Sequence, residues 1–150
     1  MTEPAEQSDV VPESGADSRE AGRYPVNYVL GVVATNEAAA ATLNELTSQG
    51  FLDSEVGAMC GPDAAETLEA TTGRKGLANL AMKVGEWIGV SNAEMEVKER
   101  YEQALRDHQF VVGALALDDE RKRRASEIIA SHGGHFIHFF NRFSIEVIRR

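Results

Sequence analysis

From Val26 to Ala34 the chain reads VNYVLGVVA, and both alternating faces are apolar: Val26, Tyr28, Leu30 and Val32 on one, Val29, Gly31 and Val33 on the other. A β-branched run apolar on both sides is the pattern of a central strand buried between two layers. FVVGALAL, from Phe110, repeats the pattern, and EVGAMC is a shorter strand. The last stretch, HFIHFFNRFSIEVI, alternates differently. His135, Ile137, Phe139, Phe143, Ile145 and Val147 share one face; His138, Arg142, Ser144 and Glu146 make the other partly wet. That alternation predicts one edge strand with a single covered face, on which His135 and His138 point to opposite sides.

Between these runs the period changes to that of helices. Ala39, Leu43 and Leu46 form one stripe, with Asn36 placed to cap the start, Glu37 in the first turn and Gly50 just past the end. Gly61-Pro62-Asp63 opens a second helix, with proline at its first position. Leu77, Leu80, Ala81, Val84 and Ile88 mark a third, and the Ser91–Glu94 capping box opens a fourth. Val97, Tyr101, Ala104, Leu105 and His108 share that helix's inner face. DDERKRRASEIIASHGG predicts a last helix, with Ala125, Ile128 and Ile129 inward and Gly133 closing it.

The order is β-α-β, a helical insertion over about 62–108, then β-α-β. This predicts an α+β, ferredoxin-like split β-α-β fold: a four-stranded antiparallel sheet with the first and third strands central. Two helices on one side of such a sheet leave its other apolar face bare. Either the inserted helices or a second subunit must cover it. Gly31, Gly57 and Gly113 put a glycine in each of three strands, which lets a helix, an aromatic ring or a ligand come close.

Composition adds a boundary. Residues 1–24 are acidic, proline-bearing and poor in large apolar side chains, which predicts a disordered tail ahead of a single domain over 25–150. That tail is a solubilising extension or an arm for a protein partner. The formal charge of -9 argues against nucleic acid and anionic membrane as partners. No apolar run approaches the roughly 20 residues that span a bilayer. With one cysteine and no basic-then-apolar leader at the start, the expected location is the cytoplasm.

Taken together, the first β-α-β unit from Val26 to Cys60, the stretch GLANLAMKVGEWIGVSNAEMEVKERYEQAL, the strand FVVGALAL and the ending HGGHFIHFFNRFSIEVI resemble the bacterial heat-induced or general stress protein family. The resemblance covers about residues 26–148, and Asn141-Arg142-Phe143 stands where related chains turn through glycine, arginine and tryptophan. It implies a ferredoxin-like fold and an association with stress. It supplies no catalytic residues.

Candidate chemistry is sparse. His132, His135 and His138 are spaced three apart, without the carboxylate or cysteine partners of a metal set. Their ordinary reading is partly buried histidines at an aromatic core. The sharper one is an axial ligand for haem or another tetrapyrrole, His138 or His135, in a pocket lined by Phe136, Phe140 and Trp87. Gly73-Arg74-Lys75-Gly76 has the outline of a backbone-gripping GxxG loop, yet it sits in an acidic chain with the wrong helix order, so a plain helix–helix turn is expected. Cys60, just before a helix start, would feel a field that favours thiolate, but with no histidine near in sequence and no second cysteine it is expected to be a small buried residue. The run Arg121-Lys122-Arg123-Arg124 is expected to be a solvated helix face, with a phosphate ligand as the alternative.

With no Ser-His-Asp set and no isolated carboxylate pair, the leading expectation is a non-enzymatic, cytoplasmic, stress-associated module. It would act by self-association, as a dimer or higher homo-oligomer, or by binding a protein partner. Two alternatives stand beside it: a small-ligand binder for a tetrapyrrole, and a dimeric α+β barrel enzyme.

Overall fold

Thr35, not Asn36, caps the first helix: its side-chain oxygen accepts from the Ala38 N–H at 3.1 Å. In this computed structural model, which describes residues 26–73, 92–141 and 144–150, that helix is α1 (Asn36–Ser48). It follows β1 (Tyr28–Val33). Asn36 instead donates to the Thr71 hydroxyl at 2.8 Å, tying α1 to α2 (Pro62–Thr72). Gly50, at φ +105°, lets the chain turn back so that Phe51 N–H reaches the Leu46 carbonyl, closing α1.

A short 3-10 turn (Asp53–Glu55) and β2 (Val56–Met59) lead into α2. The described chain resumes with α3 (Asn92–Arg106), β3 (Phe110–Leu115), α4 (Asp119–Ser131), β4 (His135–Phe140) and β5 (Ile145–Arg149). Asp118 caps α4 by accepting from Arg121 N–H at 2.7 Å. The tail, the helix expected over Leu77–Gly89, Ser91 and most of the GxxG loop lie outside the described residues. No described helix is long and apolar enough to cross a membrane.

The fold is α+β, with a five-stranded antiparallel sheet in the order β2-β3-β1-β4-β5. This corrects the four-strand expectation. HFIHFFNRFSIEVI is a hairpin and not one strand, because Asn141 turns the chain. Its side-chain oxygen accepts from the Ser144 N–H and hydroxyl, each at 3.0 Å, while its own N–H donates to the Ser144 carbonyl. The edge position therefore belongs to β5, and the histidine-bearing β4 is interior.

One face of the sheet packs on α1 and α4 through Val29, Val33, Val56, Ala58, Val112 and Ile137. Gly31 belongs to this face. A Cβ there would sit 2.7 Å from Ile129 Cγ2 on α4, so the glycine admits a helix and not a ligand. The other face carries Leu30, Val32, Met59, Val111 and Phe140, and α3 lies on it through Tyr101 and Ala104. The inserted segment thus covers its own sheet.

Candidate functional site

Leu30 pairs with His138 and Val32 with His135, so three steps along β4 match two along β1. The mismatch is a β-bulge, and Phe136 within it holds φ at +52°, a region that side-chain-bearing residues rarely occupy. Cross-strand partners share a face, so His135 and His138 both lie on the α3 side with Val32 and Leu30. The expectation that they point to opposite faces is overturned. Strict alternation fails wherever a strand takes an extra residue.

The bulge turns the Phe136 carbonyl toward α3, where it accepts twice. The Tyr101 hydroxyl donates to it at 3.0 Å, and His138 Nδ1 lies 3.1 Å away. A carbonyl can only accept, so His138 carries its proton on Nδ1. The Tyr101 oxygen is also 3.3 Å from the Leu30 carbonyl and 3.4 Å from His138 Nδ1. Tyr101 is fully buried and His138 nearly so. The Phe136 ring stands edge-on to Tyr101 at 5.1 Å between centroids and tilted to His138 at 4.3 Å. Phe140 closes the cluster from behind, 6.1 Å from Tyr101 and 6.5 Å from His138.

Burial lowers the His138 pKa below the usual histidine value. The bond to the Phe136 carbonyl partly opposes this, and the charges of Arg100 and Arg150 add to the lowering. The imidazole is therefore neutral at pH 7. Burial alone pushes the Tyr101 phenol well above its ordinary range, so the hydroxyl keeps its proton.

Of the expected pocket, His138, Phe136 and Phe140 do come together, and Trp87 lies outside the described residues. His138 is a packed core residue whose Nδ1 is already engaged, which leaves Nε2 as its one atom for a ligand. His135 stays exposed and lines an open groove of about 180 Å³ between β4 and α3. Across it, the Arg100 guanidinium lies 4.4 Å from the centre of the Phe136 ring. Sequence reasoning placed Tyr101 on an apolar stripe and did not assign it this bond. The available signal was a tyrosine on a buried stripe, whose hydroxyl needs a partner.

The remaining candidates fall into structural roles. His132 Nε2 meets the Glu45 carboxylate at 2.6 Å, joining the ends of α4 and α1. His108 is not on the inner face of α3. It is exposed and left-handed (φ +64°), and its N–H and that of Gln109 close the helix on the Leu105 and Ala104 carbonyls. Burial, then the Glu69 charge, push the Cys60 thiol up, against the thiolate alternative. Among the described residues no group of three or more metal-ligating side chains converges.

The four bases of α4 are engaged within the chain. Arg121 reaches Glu55 and the Gly50 carbonyl; Arg124 reaches the Gln49 carbonyl and Glu120. Arg123 binds Glu120 and Glu127, and Lys122 binds Glu146. No family model matches the chain, and neither the curated proteins nor the solved structures contain a significant relative.

Proposed function

We propose that this chain is a non-enzymatic, cytoplasmic, stress-associated module that works by self-association, built on a ferredoxin-like split β-α-β core to which β5 adds a fifth strand. The observation that supports the reading is the α3 side of β5. Helix α3 lies over the interior strands through Tyr101 and Ala104, while at the sheet edge Ile145 is half-buried and Val147 is 49% exposed. An exposed valine beside an unpaired strand edge offers a second chain an apolar point of contact.

The character of that edge narrows the mode of contact. Between Ile137 and His138 the β4–β5 register shifts by one residue of β5, and Glu146 and Arg149 put charges along the strand. A bulge and charges discourage open-ended strand addition. A closed dimer joined through the side chains of Ile145 and Val147 fits better than a growing sheet.

Sedimentation of the full chain tests this, with Val147→Lys as the variant. A dimer for the parent chain and a monomer for the variant support the reading. A parent chain that stays monomeric at high concentration sinks self-association, and a variant that still dimerises moves the contact elsewhere.

The tetrapyrrole reading draws support from one observation, the bulge that brings His135 and His138 to the same side. It requires visible absorption after supply of haem, lost in His135→Ala or His138→Ala.

A further inference from the structure

The bases of α4 are all bonded to carboxylates or carbonyl oxygens, and Arg106 donates to Gln103 at 2.9 Å. Arg100 differs. Among the described residues its guanidinium makes no hydrogen bond or ion pair, and it lies over the Phe136 ring instead, 4.4 Å from the ring centre. A guanidinium over an aromatic face does not spend its N–H groups, which remain able to meet a carboxylate through two parallel bonds.

The fork stands at one side of the 180 Å³ groove, which Val32, Ala104 and Phe136 also line. His135 and Gln109 line the same groove, and among the described residues neither side chain has a hydrogen-bond partner. Three polar side chains with unspent hydrogen-bonding capacity thus line one groove. Beside them is a residue in a strained backbone conformation, Phe136 at φ +52°. Such strain persists where the surroundings hold it, and it clusters at binding sites. Here the bulge does two things at once: it presents His135 to the groove and puts the Phe136 ring under Arg100.

The charge of the groove limits the ligand. Asp107 also lines it, two helical turns from Arg100, with one oxygen already accepting from Gln103. The chain as a whole carries -9. A second negative charge on the ligand would face Asp107, so a dianion such as phosphate is disfavoured. The volume lies below the roughly 300 Å³ where sites for larger organic ligands begin.

We propose that this groove is a binding site for a small monocarboxylate. The carboxylate lies against the Arg100 fork, and His135 and Gln109 bond its remaining lone pairs. The site is independent of the dimer contact at β5.

The experiment is a titration of the full chain with benzoate, followed by amide and arginine side-chain NMR shifts, with benzamide and inorganic phosphate as controls. Saturating shifts at residues 100, 135, 136 and 109 are expected with benzoate, and at least tenfold weaker ones with benzamide and phosphate. Arg100→Gln, which removes the fork from an exposed position, is expected to lose at least tenfold in benzoate affinity while its amide spectrum stays folded. Equal binding of benzamide would overturn carboxylate recognition. Unsaturable shifts, or shifts unchanged in Arg100→Gln, would overturn the site.

Discussion

Tyr101 has one hydroxyl proton and two backbone carbonyls within reach, those of Phe136 at 3.0 Å and Leu30 at 3.3 Å. The shorter bond pins α3 to the bulge of β4. Removing it in Tyr101→Phe leaves buried carbonyl capacity unmet and is expected to cost about 1–2 kcal/mol, measured as a lower urea midpoint at unchanged slope. His138 predicts a pH dependence of known sign. Its folded-state pKa is depressed, so below the unfolded value of about 6.5 the unfolded chain binds the proton more readily. The stability from a neutral His138 is complete above that value and falls as pH drops through it toward the lowered one. Urea midpoints of the parent chain should therefore fall more steeply between about pH 7.5 and 5.5 than those of His138→Gln, since only the parent has this group. Parallel curves would mean that the imidazole charges without disturbing the cluster. Of this residue-scale picture, the histidines and phenylalanines were visible as an aromatic run. The pairing of Tyr101 with the Phe136 carbonyl was not, because it joins residues 35 apart in the chain through a backbone irregularity.

Elements were legible where a local rule dominates. The apolar stripe of α1, its end at Gly50, the strand Val56–Met59 and the inward faces of α4 all follow from spacing and turn chemistry. The cap of α1 shifted by one residue because Thr35 holds the extended backbone a cap needs, and Asn36 is drawn to Thr71. Helix α4 also shows why a run of bases can stand near a helix start. Asp118, Asp119 and Glu120 answer the dipole, while Arg121 and Arg124 reach across to the Gly50 and Gln49 carbonyls just past the end of α1. Close packing of this helix on the sheet rests on Gly31. In Gly31→Ala the new methyl would lie 2.7 Å from Ile129 Cγ2 and 3.1 Å from Ile137 Cγ1, a clash expected to cost about 1–3 kcal/mol in thermal or urea unfolding. Adding Ile129→Leu, which lacks the γ2 methyl, should recover part of that loss. No recovery would place the strain in the backbone instead.

At the scale of the whole molecule, the question was what covers the second apolar face of the sheet. Helix α3 covers the interior of that face, and at its β5 margin Val147 stays exposed. An apolar contact between two chains of charge -9 should tighten as salt screens their repulsion, and a contact made by opposite charges should loosen. Sedimentation at low and high salt separates the two cases. By itself, the sequence determined the α+β class, the positions of most described elements and the two-sided burial of β1 and β3, because periodicity and capping act over a few residues. Only the tertiary structure decided that the final stretch folds into a hairpin, that His135 and His138 share a face, and which helix lies on which side. Those outcomes depend on an extra residue in one strand and on contacts between distant segments. Neither leaves a periodic trace along the chain.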